Sequence, residues 1–453
     1  MKRLSIAAAC AAMFVAFAPV NAQQRQLTLG EAIDIALANN RDLQIARLEI
    51  ENADAQVTEA FGNALPTLDL SANYTRNIKK QVFYFPGADG ISRPIEIGSA
   101  NSITGGLQLQ QILFNSAVLT GVGTAKTYAR ISREQLRATA SQTVLSVKRA
   151  YYGAILARDV LALNEQMLRN AEENYRNAQQ FYQAGLRAEF DAIRAEVQVE
   201  NQRPAVVEAR DNYQQAIDNL KLLLSLPPGT DVTIAESLVT PAAVDTSATS
   251  VAAAEQILEQ YNAQLETLRL STEVNRQLID ISRSDYLPTL ALFGSYQYQA
   301  QADNFGDFEF QPTALLGLNL SMNLFNGWQT TARVTQAKID HLQSQQQLAQ
   351  LDQALKTQLE ATLRRINYSR QRIAASQKTI AQAERGYNIA TVAYRAGTGT
   401  QLQINDAELA LAQTRLNQLN AVFDYQTAVA ELEGLLGENY KLTGDGDNVI
   451  YQR

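Results

Sequence analysis

Few side chains here have the types and spacing that catalysis needs. The 453-residue chain holds one histidine and one cysteine. His341 lies among Gln and Leu in a helical stretch and reads as a surface residue, with no second His to complete a metal site. Cys10 sits inside an N-terminal apolar run. No Gly-x-Ser-x-Gly, metal-ligand cluster or acid–base pair stands out. Gly121-Val122-Gly123 with Lys126 carries part of a phosphate loop without its full spacing. It follows a strand exit, so its glycines are expected to serve a sharp bend. Neither a cofactor nor an enzymatic activity is expected. What remains is a pair of matched turns, Tyr182-Gln183-Ala184-Gly185-Leu186-Arg187 and Tyr394-Arg395-Ala396-Gly397-Thr398-Gly399. Glycine in the left-handed conformation ends a helix in this way. Asp191 and Asp406 then lie where a carboxylate complements the next helix N-terminus. Their chemistry is electrostatic.

The elements that position these turns come twice. Leu65-Pro66-Thr67-Leu68 matches Leu287-Pro288-Thr289-Leu290, Leu113-Phe114-Asn115 matches Leu324-Phe325-Asn326, and Tyr213 matches Tyr425. The chain is an internal duplication. Each half reads helix, strand, loop, strand, long helix, turn, long helix. Leu68, Leu70, Ala72 and Tyr74 alternate with Thr67, Asp69, Ser71 and Asn73, which means a strand with one apolar face. Ile103, Leu107 and Leu109 do the same, as do Leu290, Leu292, Tyr296 and Tyr298, and then Leu316, Leu318 and Leu320. The first strand–strand loop is the longer one. It includes Val82-Phe83-Tyr84-Phe85-Pro86-Gly87 and reads as a variable external loop.

Four strands of about ten residues suit a tilted bilayer crossing. Four cannot close a barrel, and an open edge in lipid leaves backbone groups unpaired. Several chains must then share one barrel; two copies give eight strands and three give twelve. The long segments between are helical. Thr28 with Glu31 forms a capping box. From Trp328 to Arg385 there is neither Gly nor Pro, a run of roughly 85 Å at the helical rise. Val144, Val147, Tyr151 and Ile155 form one apolar stripe, and Leu348, Leu351, Leu355 and Leu359 another. The wet remaining faces suit a coiled coil or the wall of a water-filled tube. Trp328 and the strand tyrosines read as interface anchors.

Lys2 and Arg3, the apolar run from Leu4 to Phe17, and Val20-Asn21-Ala22 make a secretory signal over 1–22, with the mature chain expected to begin near Gln23. Its removal leaves no cysteine, so no disulfide or thiolate chemistry. The formal net charge of −7 argues against a nucleic-acid partner. The expected organisation is a first repeat over 23–226, with strands near 66–76 and 102–114 and its turn at 182–191. A linker follows over 227–250. The second repeat spans 251–437, with strands near 288–300 and 312–325 and its turn at 394–406. A polar, peripheral tail over 438–453 ends the chain.

Leu27-Thr28-Leu29 with Glu31-Ala32 and Ala36-Leu37, the two Leu-Pro-Thr-Leu strands, the two Leu-Phe-Asn exits and the paired turns, in this order and duplicated, resemble the TolC-like outer membrane efflux protein family. The resemblance covers nearly the whole mature chain; Arg41 stands where such proteins usually have Pro. It implies a mainly α fold with a membrane β-barrel portion. In it, duplicated coiled-coil hairpins and four strands per chain build a homotrimer with a shared twelve-stranded barrel and an α-helical tunnel. It implies a passive duct in the outer membrane, extending into the periplasm. A periplasmic adaptor and an inner-membrane pump dock on it for multidrug export or type I secretion. The turns then become the periplasmic mouth, with Gly185, Leu186, Gly397, Thr398 and Gly399 docking the adaptor. Three copies would ring the pore with Asp191 and Asp406, and like charges so placed need partners such as Arg187 and Tyr394. Family members often carry Arg two residues, and Asp six residues, after the second glycine. Here those are Gly399 and Gln403, which implies a weaker or rewired closing network. The alternative is an exported trimeric coiled-coil surface or scaffold protein without transport activity.

Overall fold

The computed structural model describes residues 25–86, 90–227, 229–238, 251–443 and 448–452. The expected signal segment and most of the 227–250 linker lie outside the described residues. In chain order the elements are β1 (Arg25–Leu27), α1 (Leu29–Asn39), α2 (Arg41–Gly62), β2 (Thr67–Arg76), β3 (Gln81–Pro86), β4 (Ser92–Ile97), β5 (Asn101–Phe114), α3 (Ser116–Gln183) and α4 (Glu189–Leu223). Then come β6 (Val232–Ile234), α5 (Val251–Tyr261), α6 (Ala263–Arg283), a short 3-10 turn (Ser284–Tyr286), β7 (Thr289–Ala302), β8 (Gln311–Ser321), α7 (Gln329–Arg395), α8 (Gln401–Leu436), β9 (Tyr440–Leu442) and β10 (Val449–Tyr451). They form two compact units. One holds the described residues within 1–40, 143–243 and 365–430, and the other those within 41–142, 244–364 and 431–453.

The second unit carries a four-stranded antiparallel sheet in the order β2-β5-β7-β8. Its register aligns residues of one character across all four strands. Leu70, Leu107, Tyr296 and Ala314 form one row, and Ser71, Gly106, Gln297 and Thr313 the next. One face is therefore largely apolar and the other largely polar, with Phe293 falling in the row of Thr67 and Gln110. Leu70 is 79% exposed, and Leu68, Leu316, Leu318 and Leu320 are exposed as well. Neither β2 nor β8 has a second strand neighbour among the described residues. Gly106 is required by close approach, since a Cβ there would come within 2.5 Å of Gln297. At one end of the sheet Tyr74 and Phe305 meet at 5.6 Å between ring centroids, and Phe305 and Phe308 at the same separation.

The helices of this unit bury a leucine seam in which Leu258, Leu265, Leu355, Leu359 and Leu435 pack together. Asn262 caps α6 through Leu265 N–H at 3.0 Å and donates to Leu435 O at 2.8 Å. In the first unit the Thr28–Glu31 capping box opens α1. Val144, Val147, Tyr151 and Ile155 form its buried stripe. The Tyr151 hydroxyl donates to Leu27 O at 2.9 Å, which ties β1 to α3.

The structure differs from the sequence expectations in several places. The external loop contains the β3–β4 hairpin, with Phe83 opposite Ile95. Ten strands form among the described residues, six of them outside the main sheet: β3 pairs with β4 and β9 with β10 nearby in the chain, and β1 finds its partner far along it. One lies in the expected linker, where β6 pairs with β1. The last barrel-type strand ends at Ser321 instead of running to 325. The tail is not peripheral: Tyr440 is buried, and Arg137 Nε donates to its carbonyl at 3.1 Å. Gly121, Gly123 and Lys126 lie in the first turns of α3, so they form neither a phosphate loop nor a bend. His341 is half-buried, with Nδ1 3.2 Å from Thr272 O.

Candidate functional site at the paired turns

Both turns, and all the residues singled out around them, belong to the first unit. The helices stop for the same local reason. Gly185 has φ +71° and Gly397 φ +85°. The next N–H reaches back to satisfy a terminal carbonyl, Leu186 to Phe181 O at 2.9 Å and Thr398 to Ala393 O at 3.0 Å. This is the left-handed helix stop that glycine tolerates without a Cβ clash.

The restarts differ. Ala188 opens α4 with no side-chain cap, and Glu189 and Asp191 supply charge to its first turn. Thr400 opens α8 with a reciprocal pair: its N–H donates to Gln403 Oε1 at 3.0 Å, and Gln403 N–H donates to Thr400 Oγ1 at 3.4 Å. Gln403 is thus engaged in capping a helix.

One side chain crosses between the turns. Arg187 Nη2 donates to Tyr394 O at 3.1 Å and to Gly399 O at 2.9 Å. Its guanidinium lies over the Tyr394 ring, 4.9 Å from the centroid. Gly399 permits this approach. It is buried, and a Cβ there would sit 2.9 Å from Tyr394 N and 3.0 Å from the Ala393 carbonyl carbon. Tyr394 is 2% exposed and packs with Ala178, Ala192, Ala195 and Ile404. Phe181 meets its ring edge-on at 5.9 Å. Burial pushes the Tyr394 phenol upward and Asp191 adds to this, while Arg187 opposes it.

The structure therefore joins Arg187, Tyr394 and Gly399. It does not join the two acids. Asp191 is half-buried at the first turn of α4, Asp406 is exposed on α8, and no ion pair among the described residues holds either. Gly185, Leu186, Gly397 and Thr398 are exposed at the turn surfaces.

Two participants were missed in the sequence. Arg395 pairs with Glu173 at 2.9 Å, a second tie between the hairpins. Glu408 is 3% exposed, and neither of its carboxylate oxygens has a hydrogen-bond partner among the described residues. Ile404, Glu408 and Leu411 follow at helical spacing and are all buried. A charge inside that apolar stripe was the available signal. The Tyr394 hydroxyl and Gln401 Oε1 are also buried without partners. Each such group costs about 1–3 kcal/mol, so the region around the turns packs under a polar penalty.

No group of three or more His, Cys, Asp or Glu among the described residues could hold a metal ion. No described helix is long and apolar enough to cross a membrane. The family model described as outer membrane efflux protein matches residues 32–225 and 253–438, so it takes in both repeats and both turns. The chain belongs to the outer membrane efflux protein family. As a member it is an outer membrane protein that extends into the periplasm. Among its relatives, outer membrane protein TolC of Vibrio cholerae is 24% identical over 420 residues, covering 90% of each chain. Alkaline protease secretion protein AprF of Pseudomonas aeruginosa is 26% identical over 340 residues, covering 73% of this chain and 69% of its own. The solved structure of the Vibrio cholerae outer membrane protein VceC shares the fold with TM-score 0.77 at 19% identity, over 90% of this chain and 96% of that one.

Proposed function

We propose that this efflux-family chain is a passive export duct that works as a homotrimer with a periplasmic adaptor and an inner-membrane pump. The observation that carries the reading is the sheet. Among the described residues its four strands have open edges at β2 and β8 and one exposed apolar face. In lipid those edges must pair, and three copies supply twelve strands. The polar face then lines a wet lumen, through which cargo passes without being modified, and the pump supplies the energy. The turns form the periplasmic mouth and the adaptor contact. Arg187 holds the two hairpins of one protomer together there, and Asp191 and Asp406 bias the opening toward cations.

The test is the mass of the purified protein in detergent together with its conductance in planar bilayers. A trimer with small, cation-selective channels is expected, with selectivity reduced in Asp406→Ala. A monomer that never conducts would overturn the duct and leave a scaffold role. Unchanged selectivity in Asp406→Ala would remove the acidic ring alone.

A further inference from the structure

Glu408 lies two residues beyond Asp406 on α8, with its side chain turned into the hairpin interior. The groups around it are known on each element. On α7, Tyr387 faces it; burial pushes that phenol up, and the nearby Glu408 carboxylate adds to the rise. On α3, Asn170 lies near enough to oppose the rise in its proton affinity without completing a hydrogen bond to the carboxylate, while Asn174 and Glu173 face Tyr387. No ion pair among the described residues holds it. Arg395 is engaged by Glu173 at 2.9 Å and Arg415 by Glu384 at 2.9 Å. Burying an unpaired carboxylate is unfavourable, and the side chain avoids that cost by taking up a proton.

We propose that Glu408 is a proton-binding site that couples closure of the periplasmic mouth to pH: the neutral acid fits the packed α7–α8 hairpin, and the carboxylate loosens it. This inference rests on the export-duct reading. The direction follows from linkage. Burial pushes the Glu408 carboxyl up to about 7, with Asn170 opposing, against an ordinary value of 4.5. The packed hairpin therefore binds more protons than a loosened one. Closure is strongest below the ordinary value and is progressively lost as pH rises through the raised one. Arg187, the cation beside Tyr394, turns its Nη2 to the Tyr394 and Gly399 carbonyls and not to Glu408.

The experiment records single-channel conductance of the purified full chain from about pH 5.5 to about pH 8.5 and compares the wild type with Glu408→Gln. Glu408→Leu serves as a second uncharged variant, and Arg187→Ala as an open reference. In the wild type the ratio of open to closed channels should rise with pH, by at most about tenfold per pH unit for each titrating group. Both Glu408 variants should stay closed across the range. Infrared difference spectra read the proton directly; a protonated carboxyl band should vanish as pH rises in the wild type and be missing in Glu408→Gln. A wild type insensitive to pH, or a Glu408→Gln channel that keeps the wild-type response, overturns the inference. If the band titrates but the channels do not respond, the coupling is wrong. If even Arg187→Ala never conducts, the duct reading falls and takes this inference with it.

Discussion

In the first turn the chain leaves α3 through Gly185 and enters α4 at an uncapped Ala188, with Glu189 and Asp191 placed in the first helical turn. In the second it leaves α7 through Gly397, and Thr400 with Gln403 caps α8. Two residues past each glycine the repeats differ, with Arg187 in one and Gly399 in the other. These positions meet: the arginine of the first turn donates to the carbonyl of the second turn's glycine. Duplication has kept the backbone device and split the side-chain work. One copy supplies the donor, and the other supplies the space that lets it in.

The sharpest way to break this pairing is Arg187→Ala. It removes two charge-assisted hydrogen bonds and the stacking on Tyr394, together worth about 2–3 kcal/mol. That shifts the open-to-closed ratio by on the order of 30–150-fold. Conductance should rise sharply. Arg187→Lys should recover only part of the closure, because an ammonium lacks the planar fork that serves two carbonyls. Equal conductance in all three proteins would show that the crossing does not hold the mouth.

Gly399→Ala attacks the same contact from its other side. A methyl 2.9 Å from Tyr394 N forces the turn to shift, at a cost of about 1–3 kcal/mol. It should raise conductance as Arg187→Ala does, and the double variant should add little to either single change. Full additivity would mean that the two residues act separately.

The smallest effects come from the helix starts. Thr400→Ala removes a cap worth about 1 kcal/mol, and hydrogen exchange in the first turn of α8 should quicken. Ala188→Ser should slow exchange at the start of α4 by a comparable amount. If neither exchange rate moves, capping does not distinguish the two turns.

Much of this molecule is written locally. Period-two alternation marked the strands, helical spacing placed Val144, Tyr151 and Leu359 in buried seams, and the two glycines ended their helices. Each of these signals needs only neighbouring residues, so it survives without knowledge of the fold. The strand count also determined that one chain cannot close a barrel. What the tertiary structure alone decided involves residues far apart in sequence. Arg187 reaches Tyr394 and Gly399 because α3–α4 and α7–α8 pack side by side within one unit. Gln403, standing where relatives often carry Asp, caps α8 with Thr400. The short strand β6 exists because β1 gives it a partner. Glu408 is one acid among many in the sequence; burial against α3 and α7 raises its proton affinity, and that burial is a property of the packed helices.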